Sequence, residues 1–249
     1  MMTQTNRPGL LRPIPFHYCT GCGHSILHRL IAEVIEDLGV KDRAVGVAGV
    51  GCSFLMYDFL DLDFASAPPG RAPSVATGLK RANTTATVFT YQGDTDAMGA
   101  GLTDLVHAAT RQERITVFVV NNATTGLSGG HVSPATPTGL VTRTMPKGRI
   151  PSLDGHPVRL CELMASLGIP SRIERVALDT KENVARTRQA IGESLRHPLE
   201  HSELALLEIL SPCPTHWNMS PEAALGYLSS ELTRFYPLAR FDRKTEEGA

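Results

Sequence analysis

The sequence predicts an α/β fold with a mostly parallel sheet and helices on both of its faces. Two apolar runs, residues 86–91 and 115–120, have the composition of buried parallel strands. Between them, apolar residues recur at three- and four-residue spacing over 98–109, which is typical of a crossover helix. Beyond residue 156 the strand and helix patterns alternate again, as in a sheet that is covered on both faces.

The remaining elements follow from the same patterns. Residues 58–73 and 136–156 are rich in proline and glycine and have no clear period, so we expect loops there. The expected domain organisation is an N-terminal arm (1–15), one domain (16–240) and a flexible tail (241–249). We predict further helices over 26–38, 74–82, 158–167, 182–195 and 221–232, and further strands over 44–50, 172–178 and 204–210.

The composition narrows the class of protein. The chain has 249 residues and a formal net charge of −1, so no basic excess favours nucleic acid as a partner. No apolar run reaches the roughly eighteen residues of a membrane span, and the N-terminus lacks the apolar core of a signal peptide. We therefore expect a cytoplasmic protein that binds neither nucleic acid nor membrane. In that compartment its five cysteines are more often metal-binding or catalytic than disulfide-bonded.

Polar residues follow the two central strands where these are predicted to end. Asp94 comes after the first strand and Asn122 after the second. A right-handed crossover makes the strands parallel and brings both residues to the edge of the sheet where open α/β folds bind ligands. A carboxylate and an amide oxygen suit Mg2+, which keeps waters and bridges to phosphates. The glycine-rich segment 126–130 allows backbone N–H groups to approach a diphosphate closely.

The cysteines are concentrated in predicted loops. Cys19 and Cys22 form a CxxC motif, and Cys52 and Cys213 each follow a predicted strand end. The ends of parallel strands share one edge of the sheet, so we expect these cysteines to neighbour the Mg2+ site. Four thiolates can bind a tetrahedral Zn2+ or a [4Fe-4S] cluster, and their spacing does not decide between the two. Cys161 lies in a predicted helix among apolar residues and is expected to be structural.

These motifs resemble those of a known family. Gly93-Asp94, followed by Asn121-Asn122, resembles the thiamine diphosphate (ThDP) signature. The sequence GLSGGHVSPAT, which starts at Gly126, resembles the corresponding segment of 2-oxoacid:ferredoxin oxidoreductase beta subunits. The same resemblance is carried by CTGCGH (19–24), GVGCS (49–53) and SPCPTHWNMSPEAALGYL (211–228), and it covers about residues 14–241.

The resemblance implies a ThDP-binding fold that holds ThDP, Mg2+ and a [4Fe-4S] cluster. The implied ligands of Mg2+ are Asp94, Asn122 and Thr124. The implied ligands of the cluster are Cys19, Cys22, Cys52 and Cys213. His24 is expected on the diphosphate side of the cofactor. The full set expected to contact ThDP is His24, Ser53, Gly93, Asp94, Thr95, Asn122, Thr124, Gly126 and Leu127.

The activity implied by the resemblance is CoA-dependent oxidative decarboxylation of a 2-oxoacid, with ferredoxin as the electron acceptor. Residues 140–180 and 209–241 look most like the branched-chain type, so a substrate like 2-oxoisovalerate is expected first and 2-oxoglutarate or pyruvate next. The family places the domain that activates the aminopyrimidine ring on a separate alpha subunit. We therefore expect an alpha subunit as partner, with gamma and delta subunits as further candidates.

The chain departs from the family pattern near the expected reaction centre. Thr95 stands where a glycine is usual, Thr125 where a tyrosine is usual and His131 where a glutamine is usual, and Pro69 stands where a histidine is common. We expect His131 to be a catalytic residue that hydrogen-bonds the substrate or an intermediate. Two other interpretations stay open at this point. One is a non-oxidative ThDP-dependent decarboxylase component with a structural zinc, and the other is a non-catalytic scaffold subunit.

Overall fold

A seven-stranded sheet forms the centre of the domain. The computed structural model describes residues 7–169 and 171–241. Its strands are β1 (Ala44–Ala48), β2 (Asp63–Ser66), β3 (Thr87–Gly93), β4 (Thr116–Asn121), β5 (Arg172–Ala177), β6 (Ala205–Leu210) and β7 (Ala239–Arg240). Their order in the sheet is β2-β1-β3-β4-β6-β5-β7, and every pairing among them is parallel except that of β7 with β5. The predicted fold class is confirmed.

Helices cover both faces of the sheet, as predicted. They are α1 (His24–Asp37), α2 (Met56–Phe59), α3 (Ala72–Ala82), α4 (Leu102–Thr110), α5 (Pro151–Asp154), α6 (Leu160–Ser166), α7 (Lys181–Glu200), α8 (Pro214–Trp217), α9 (Pro221–Tyr227) and α10 (Thr233–Phe235). Apolar side chains of α1, α2 and α7 pack on one face, and those of α3, α4, α6 and α9 pack on the other. Within the described ranges, none of these helices has the length and apolar character that a membrane span requires.

The predicted loops at 58–73 and 136–156 contain short regular elements, and the sequence-based assignment was wrong there. Residues 58–73 include the end of α2 and the edge strand β2, and residues 136–156 include α5. Strand β2 has four residues and no alternation of buried and exposed side chains, so no period marks it in the sequence. Helix α5 is a single turn that begins at Pro151.

The segment that precedes α1 packs on the domain from residue 8 onward. Leu10 is fully buried, and the N–H of Arg12 donates to the carbonyl of Phe59 at 2.8 Å. Residues 1–6 of the predicted arm and 242–249 of the predicted tail lie outside the described residues. The division into arm, domain and tail stays a prediction.

Four adjacent strands end at one edge of the sheet. β1, β3, β4 and β6 are consecutive neighbours, with Ala48 paired to Tyr91, Gly93 to Val120 and Asn121 to Leu210. The chain leaves these strands into segments that contain the predicted site residues Cys52, Asp94, Asn122 and Cys213. The fold therefore gathers at its carboxyl edge residues that are far apart in the sequence.

Candidate cofactor site

A small cavity of about 30 Å³ lies at the carboxyl edge, where β1, β3 and β4 end, and we call it the polar cavity after the polar side chains at its border. It is bordered by eight of the nine residues predicted to contact ThDP, namely His24, Ser53, Gly93, Asp94, Thr95, Asn122, Thr124 and Gly126. The ninth, Leu127, lines an adjoining cavity. The structure thus brings together the three residues of the predicted Mg2+ set.

Asp94 is a buried carboxylate in this cavity. Its Oδ2 accepts a hydrogen bond from the hydroxyl of Ser133 at 2.7 Å, and its Oδ1 accepts one from the N–H of Thr95 at 2.7 Å. Burial raises the pKa of Asp94 to about 7, although the hydrogen bonds from Ser133 and Thr95 oppose that rise. A divalent cation would offset the cost of burying this negative charge.

The turn after β4 presents the other two predicted Mg2+ ligands. Within it, Ala123 has a left-handed backbone with φ of +58°, an uncommon conformation for a residue with a Cβ atom. Three side-chain donors are among the groups that hold the turn: Trp217 Nε1 donates to the carbonyl of Asn122 at 3.0 Å, Thr136 Oγ1 donates to that of Ala123 at 2.7 Å, and Thr124 Oγ1 donates to that of His131 at 3.0 Å. The turn is therefore fixed from several directions.

His24 connects the cavity to a buried group of aromatic rings. Its Nδ1 is 2.6 Å from the hydroxyl of Tyr91, and its ring stacks on Tyr18 with centroids 4.9 Å apart. Burial lowers the pKa of His24 to about 4, so its ring is neutral at pH 7. Tyr18 in turn donates to the carbonyl of Cys52 at 3.0 Å and pairs with His28 Nε2 at 2.8 Å. Sequence reasoning did not identify Tyr18 or Tyr91 as part of the site.

A second, mainly apolar cavity of about 480 Å³ adjoins the polar one. The two cavities share the borders Val50, Gly51, Thr95, Asp96 and Thr125. The second is completed by Pro69, Gly99, Ala100, Leu127 and Ser128. The departures at positions 69, 95 and 125 therefore lie together around one space.

Asp96 is a site residue that the sequence analysis did not single out. Its Oδ1 accepts from the N–H of Gly70 and its Oδ2 from Gln92 Nε2, both at 2.7 Å. It opens a π-helical turn, Asp96–Ala100, which leads from β3 into α4. Its position two residues after Asp94, at the same strand end, is the signal that could have identified it.

His131 enters the site through its backbone. Its carbonyl accepts from the N–H of Thr125 at 2.9 Å as well as from Thr124 Oγ1. Its side chain is not among the residues that line either cavity. The catalytic role of His131 stays a prediction.

The four predicted cluster ligands converge beside the polar cavity. Burial raises the pKa of Cys22 to about 11, and negative charge on Cys52 and Cys19 would raise it further. Burial also raises the pKa of Cys213, with smaller contributions from Cys22, Cys52 and Cys19. These mutual effects place the thiols within electrostatic range of one another. Cys52 also borders the polar cavity.

The four thiols have the chemistry to bind a metal ion or cluster, although they do not yet surround a single metal position. Within the described ranges, no three side chains of His, Cys, Asp or Glu already surround a single metal position. The donor set is nevertheless four free thiols on neighbouring loops, which is the set that Zn2+ or a [4Fe-4S] cluster requires. Cys161 is buried in α6, as predicted, and donates to Glu208 Oε2 at 3.1 Å.

Glycines allow the cysteine loops to approach one another. A Cβ atom on Gly23 would lie 2.3 Å from Ser211 Oγ, in the segment that leads to Cys213. A Cβ on Gly126 would lie 3.2 Å from Cys52 Sγ. The absence of side chains at these glycines permits the CxxC loop, the loop after β1 and the segment after β6 to meet.

Comparison with known proteins agrees with this geometry. The family model "Thiamine pyrophosphate enzyme, C-terminal TPP binding domain" matches residues 49–209, well over half of the chain. Thiamine pyrophosphate is another name for ThDP. The fold and site therefore define a ThDP-binding α/β domain.

Curated relatives refine this class. Ketoisovalerate oxidoreductase subunit VorA of Methanothermobacter thermautotrophicus is 42% identical over 241 residues, covering 96% of this chain and 50% of that protein. The 2-oxoglutarate synthase subunit KorB of Archaeoglobus fulgidus is 30% identical over 221 residues, covering 89% of this chain and 78% of that protein. The chain belongs to the family of 2-oxoacid:ferredoxin oxidoreductase beta subunits. It spans about half the length of the VorA proteins that it matches.

A solved structure shares the fold. The 2-oxoglutarate:ferredoxin oxidoreductase from Magnetococcus marinus, determined with 2-oxoglutarate, coenzyme A and succinyl-CoA bound, superposes with a TM-score of 0.76 at 22% sequence identity. The superposition covers 98% of this chain and 87% of that chain. At this level of identity the likeness concerns the architecture alone.

Proposed function

We propose that this chain binds ThDP, Mg2+ and a [4Fe-4S] cluster in a 2-oxoacid:ferredoxin oxidoreductase. In this proposal the assembled enzyme oxidatively decarboxylates a 2-oxoacid, transfers the acyl group to coenzyme A and passes electrons to ferredoxin. The observation that carries the proposal is the convergence, at one edge of the sheet, of the Asp94–Asn122 cavity and the three loops that contain the four cysteines.

The oxygen atoms at the border of the polar cavity suit a metal diphosphate. Asp94 Oδ, Asn122 Oδ1 and the carbonyl of Thr124 would supply hard oxygen ligands to Mg2+. Bound ThDP supplies the carbanion and electron-sink chemistry that removal of CO2 from a 2-oxoacid requires. His24, with its Nδ1 engaged by Tyr91, would leave Nε2 as the ring nitrogen for the cofactor's diphosphate side. The role of the protein's own residues is to bind, orient and shield the cofactor.

The adjacent thiols suit the electron-accepting group. Cys52 Sγ is near the backbone N–H of Leu127, which lowers the pKa of Cys52, whereas burial, the larger effect, raises it. Both Cys52 and Leu127 lie in segments that border the two cavities. A cluster bound by these thiols would therefore lie beside the cofactor, where it could accept electrons from it.

The apolar cavity supports a substrate with an uncharged side chain. Among its described lining residues none is Lys, Arg or His, and Asp96 is the charged group that borders it. A second carboxylate, as in 2-oxoglutarate, would meet no cation there and would be repelled by Asp96. A branched aliphatic side chain would instead bury apolar area. This favours a substrate like 2-oxoisovalerate over 2-oxoglutarate.

A partner chain is part of the proposal. The matched VorA proteins are about twice the length of this chain, and the rim of the cavities carries apolar side chains that are exposed, including Val50 and Leu127. We propose that an alpha subunit covers this rim and supplies the domain that activates the aminopyrimidine ring. Gamma and delta subunits are further candidates for the assembly.

The deciding experiment is the composition of protein purified without oxygen. Iron, acid-labile sulfide, zinc and ThDP should be measured together with the co-purifying chains. About four irons and four sulfides per chain, with bound ThDP, would support the proposal. One zinc without iron would overturn the redox assignment and favour a non-oxidative decarboxylase component. Absence of ThDP binding by the assembled protein would overturn the cofactor assignment.

A further inference from the structure

A buried carboxylate lies in β6, the strand next to β4. Glu208 is fully buried in the middle of β6, among apolar residues. Burial of a carboxylate is costly unless each of its oxygens has partners. Apolar packing alone does not explain why a carboxylate is buried at this position.

The two oxygens of Glu208 have different partners. Oε2 accepts from Arg175 Nε at 2.8 Å and from Cys161 Sγ at 3.1 Å. Arg175, directly opposite Glu208 on β5, is itself fully buried and forms ion pairs with both Glu208 and Glu162. Oε1 accepts from Asn121 Nδ2 at 2.7 Å, on the last residue of β4. Through Asn121, this second contact leads to the turn after β4.

The contact with Glu208 fixes which way the Asn121 amide faces. With Nδ2 directed to Glu208, Oδ1 accepts from the N–H of Ala123 at 3.0 Å. Rotation of the amide by half a turn would place its oxygen against the carboxylate and its NH2 group against the N–H of Ala123. Both contacts would be repulsive, so Glu208 excludes the rotated amide.

We propose that Glu208 is a positioning residue for the turn that presents Asn122 and Thr124 to the metal diphosphate, and that it acts through Asn121. This proposal rests on the proposed function for the identity of the ligand at this turn, which is Mg2+·ThDP. Asn121 holds Ala123 in its left-handed conformation, and Ala123 separates the two ligand residues in the chain. The ion pair with Arg175, at 2.8 Å, holds the other oxygen of the carboxylate in place.

The test compares three variants by two measurements. Asn121→Ala removes the contact that leads to the turn. Glu208→Gln leaves one amide oxygen for two donors, Arg175 and Asn121, and the positive charge of Arg175 favours its own claim on that oxygen. Cys161→Ala is the matched control, because it removes a partner of the same carboxylate on the opposite oxygen. Hydrogen exchange of residues 122–125 is measured on the full chain, and Mg2+·ThDP binding is measured by calorimetry on the chain with its co-purifying partners.

We expect Glu208→Gln and Asn121→Ala to speed exchange at 122–125 and to weaken Mg2+·ThDP binding, each by about tenfold, the effect of losing one hydrogen bond to a charged group. Cys161→Ala should leave both quantities within about twofold. If Glu208→Gln does not fold, Asn121→Ala carries the comparison, because it leaves the Arg175 ion pair intact.

The outcomes separate this proposal from the proposed function. Equal exchange and equal binding in Asn121→Ala, Cys161→Ala and wild type would overturn the positioning role while leaving ThDP binding established. A wild type that binds no Mg2+·ThDP would overturn the proposed function and the ligand in this proposal. If hydrogen exchange at residues 122–125 is as slow in that case in Asn121→Ala as in wild type, Glu208 does not position the turn.

Discussion

The side-chain oxygens of Thr95 and Thr125 lie 2.6 Å apart, at the shared border of the polar and apolar cavities. Thr125 Oγ1 also donates to the carbonyl of Val132 at 3.1 Å. The proton of Thr95 can then point to Thr125, which leaves the lone pairs of Thr95 for other donors. Two positions that differ from the family pattern thus form one structural unit.

Removing the Thr125 hydroxyl should therefore affect substrate more than cofactor. We expect Thr125→Val to destabilise the chain by about 1 kcal/mol, because the carbonyl of Val132 loses its donor. Mg2+·ThDP affinity should stay within about twofold, because the implied Mg2+ ligands are untouched, while KM for the 2-oxoacid changes. Steady-state kinetics and calorimetry on the assembled enzyme check this. Thr110→Val, on the exposed side of α4, is the control, and an unchanged KM in Thr125→Val would contradict the expectation.

Asp94 should impose a pH dependence on cofactor binding. Metal binding needs the ionised carboxylate, and burial raises the pKa of Asp94 to about 7. We expect Mg2+·ThDP affinity to fall as pH decreases below 7, by about tenfold per pH unit when one proton is displaced. Calorimetry between pH 6 and 8, in buffers of different ionisation enthalpy, would count that proton. Affinity that does not change over this range would exclude Asp94 as the titrating ligand.

The same carboxylate should weaken the fold of the cofactor-free chain. Its folded pKa lies above that of an unfolded Asp, so the stability that its proton confers is present below about pH 4 and is lost as pH rises through 7. We expect Asp94→Asn to abolish Mg2+·ThDP binding and yet raise the melting temperature at pH 7.5 by about 2–4 °C, the shift produced by roughly 1 kcal/mol. Thermal melts of both forms at pH 4 and pH 7.5 provide the comparison. A lower melting temperature at pH 7.5 would show that the carboxylate stabilises the apo fold.

Serine substitution should separate the cysteines proposed to bind the cluster from Cys161, which is expected to be structural. We expect Cys19→Ser, Cys22→Ser, Cys52→Ser and Cys213→Ser each to lose most of the iron and sulfide, because a hydroxyl is a poor substitute for a thiolate ligand. Cys161→Ser should keep both, because Cys161 contacts Glu208 in the core and lines neither cavity. Metal analysis and visible absorbance measure the difference. Full iron in any one of the first four variants would remove that cysteine from the ligand set.

Gly23→Ala should disturb the approach of the cysteine loops. The added Cβ would lie 2.3 Å from Ser211 Oγ and 2.9 Å from Leu178 Cδ1. We expect a loss of about 1–3 kcal/mol, the usual effect of overpacking, together with reduced metal content. Gly78→Ala is the matched control, since its Cβ would meet no atom within 4 Å on the exposed side of α3 and should stabilise the helix by about 0.5–1 kcal/mol. Equal metal content in both variants would contradict the steric argument.

The sequence predicts the central strands and the Asp94–Asn122 cavity because these depend on local periodicity and on the rule that parallel strands end at one edge. It does not predict β2, which is too short to show a period. The role of Glu208 is also hidden, because its partner Asn121 is 87 residues away and the contact depends on the strand register. The Thr95–Thr125 contact could not be foreseen either, because it depends on how the loops after β3 and β4 fold back on each other.

The convergence of strand ends has a consequence for how the chain matures. The residues that form the site follow β1, β3, β4 and β6, and these strands pair through contacts between distant parts of the sequence. Such contacts form late and slowly during folding. A nascent or truncated chain that lacks β6 therefore has no complete site, and affinity for the cofactors arises only when the sheet is finished. The cofactors would then bind and stabilise only complete, folded chains, and incomplete chains would gain no stability from them.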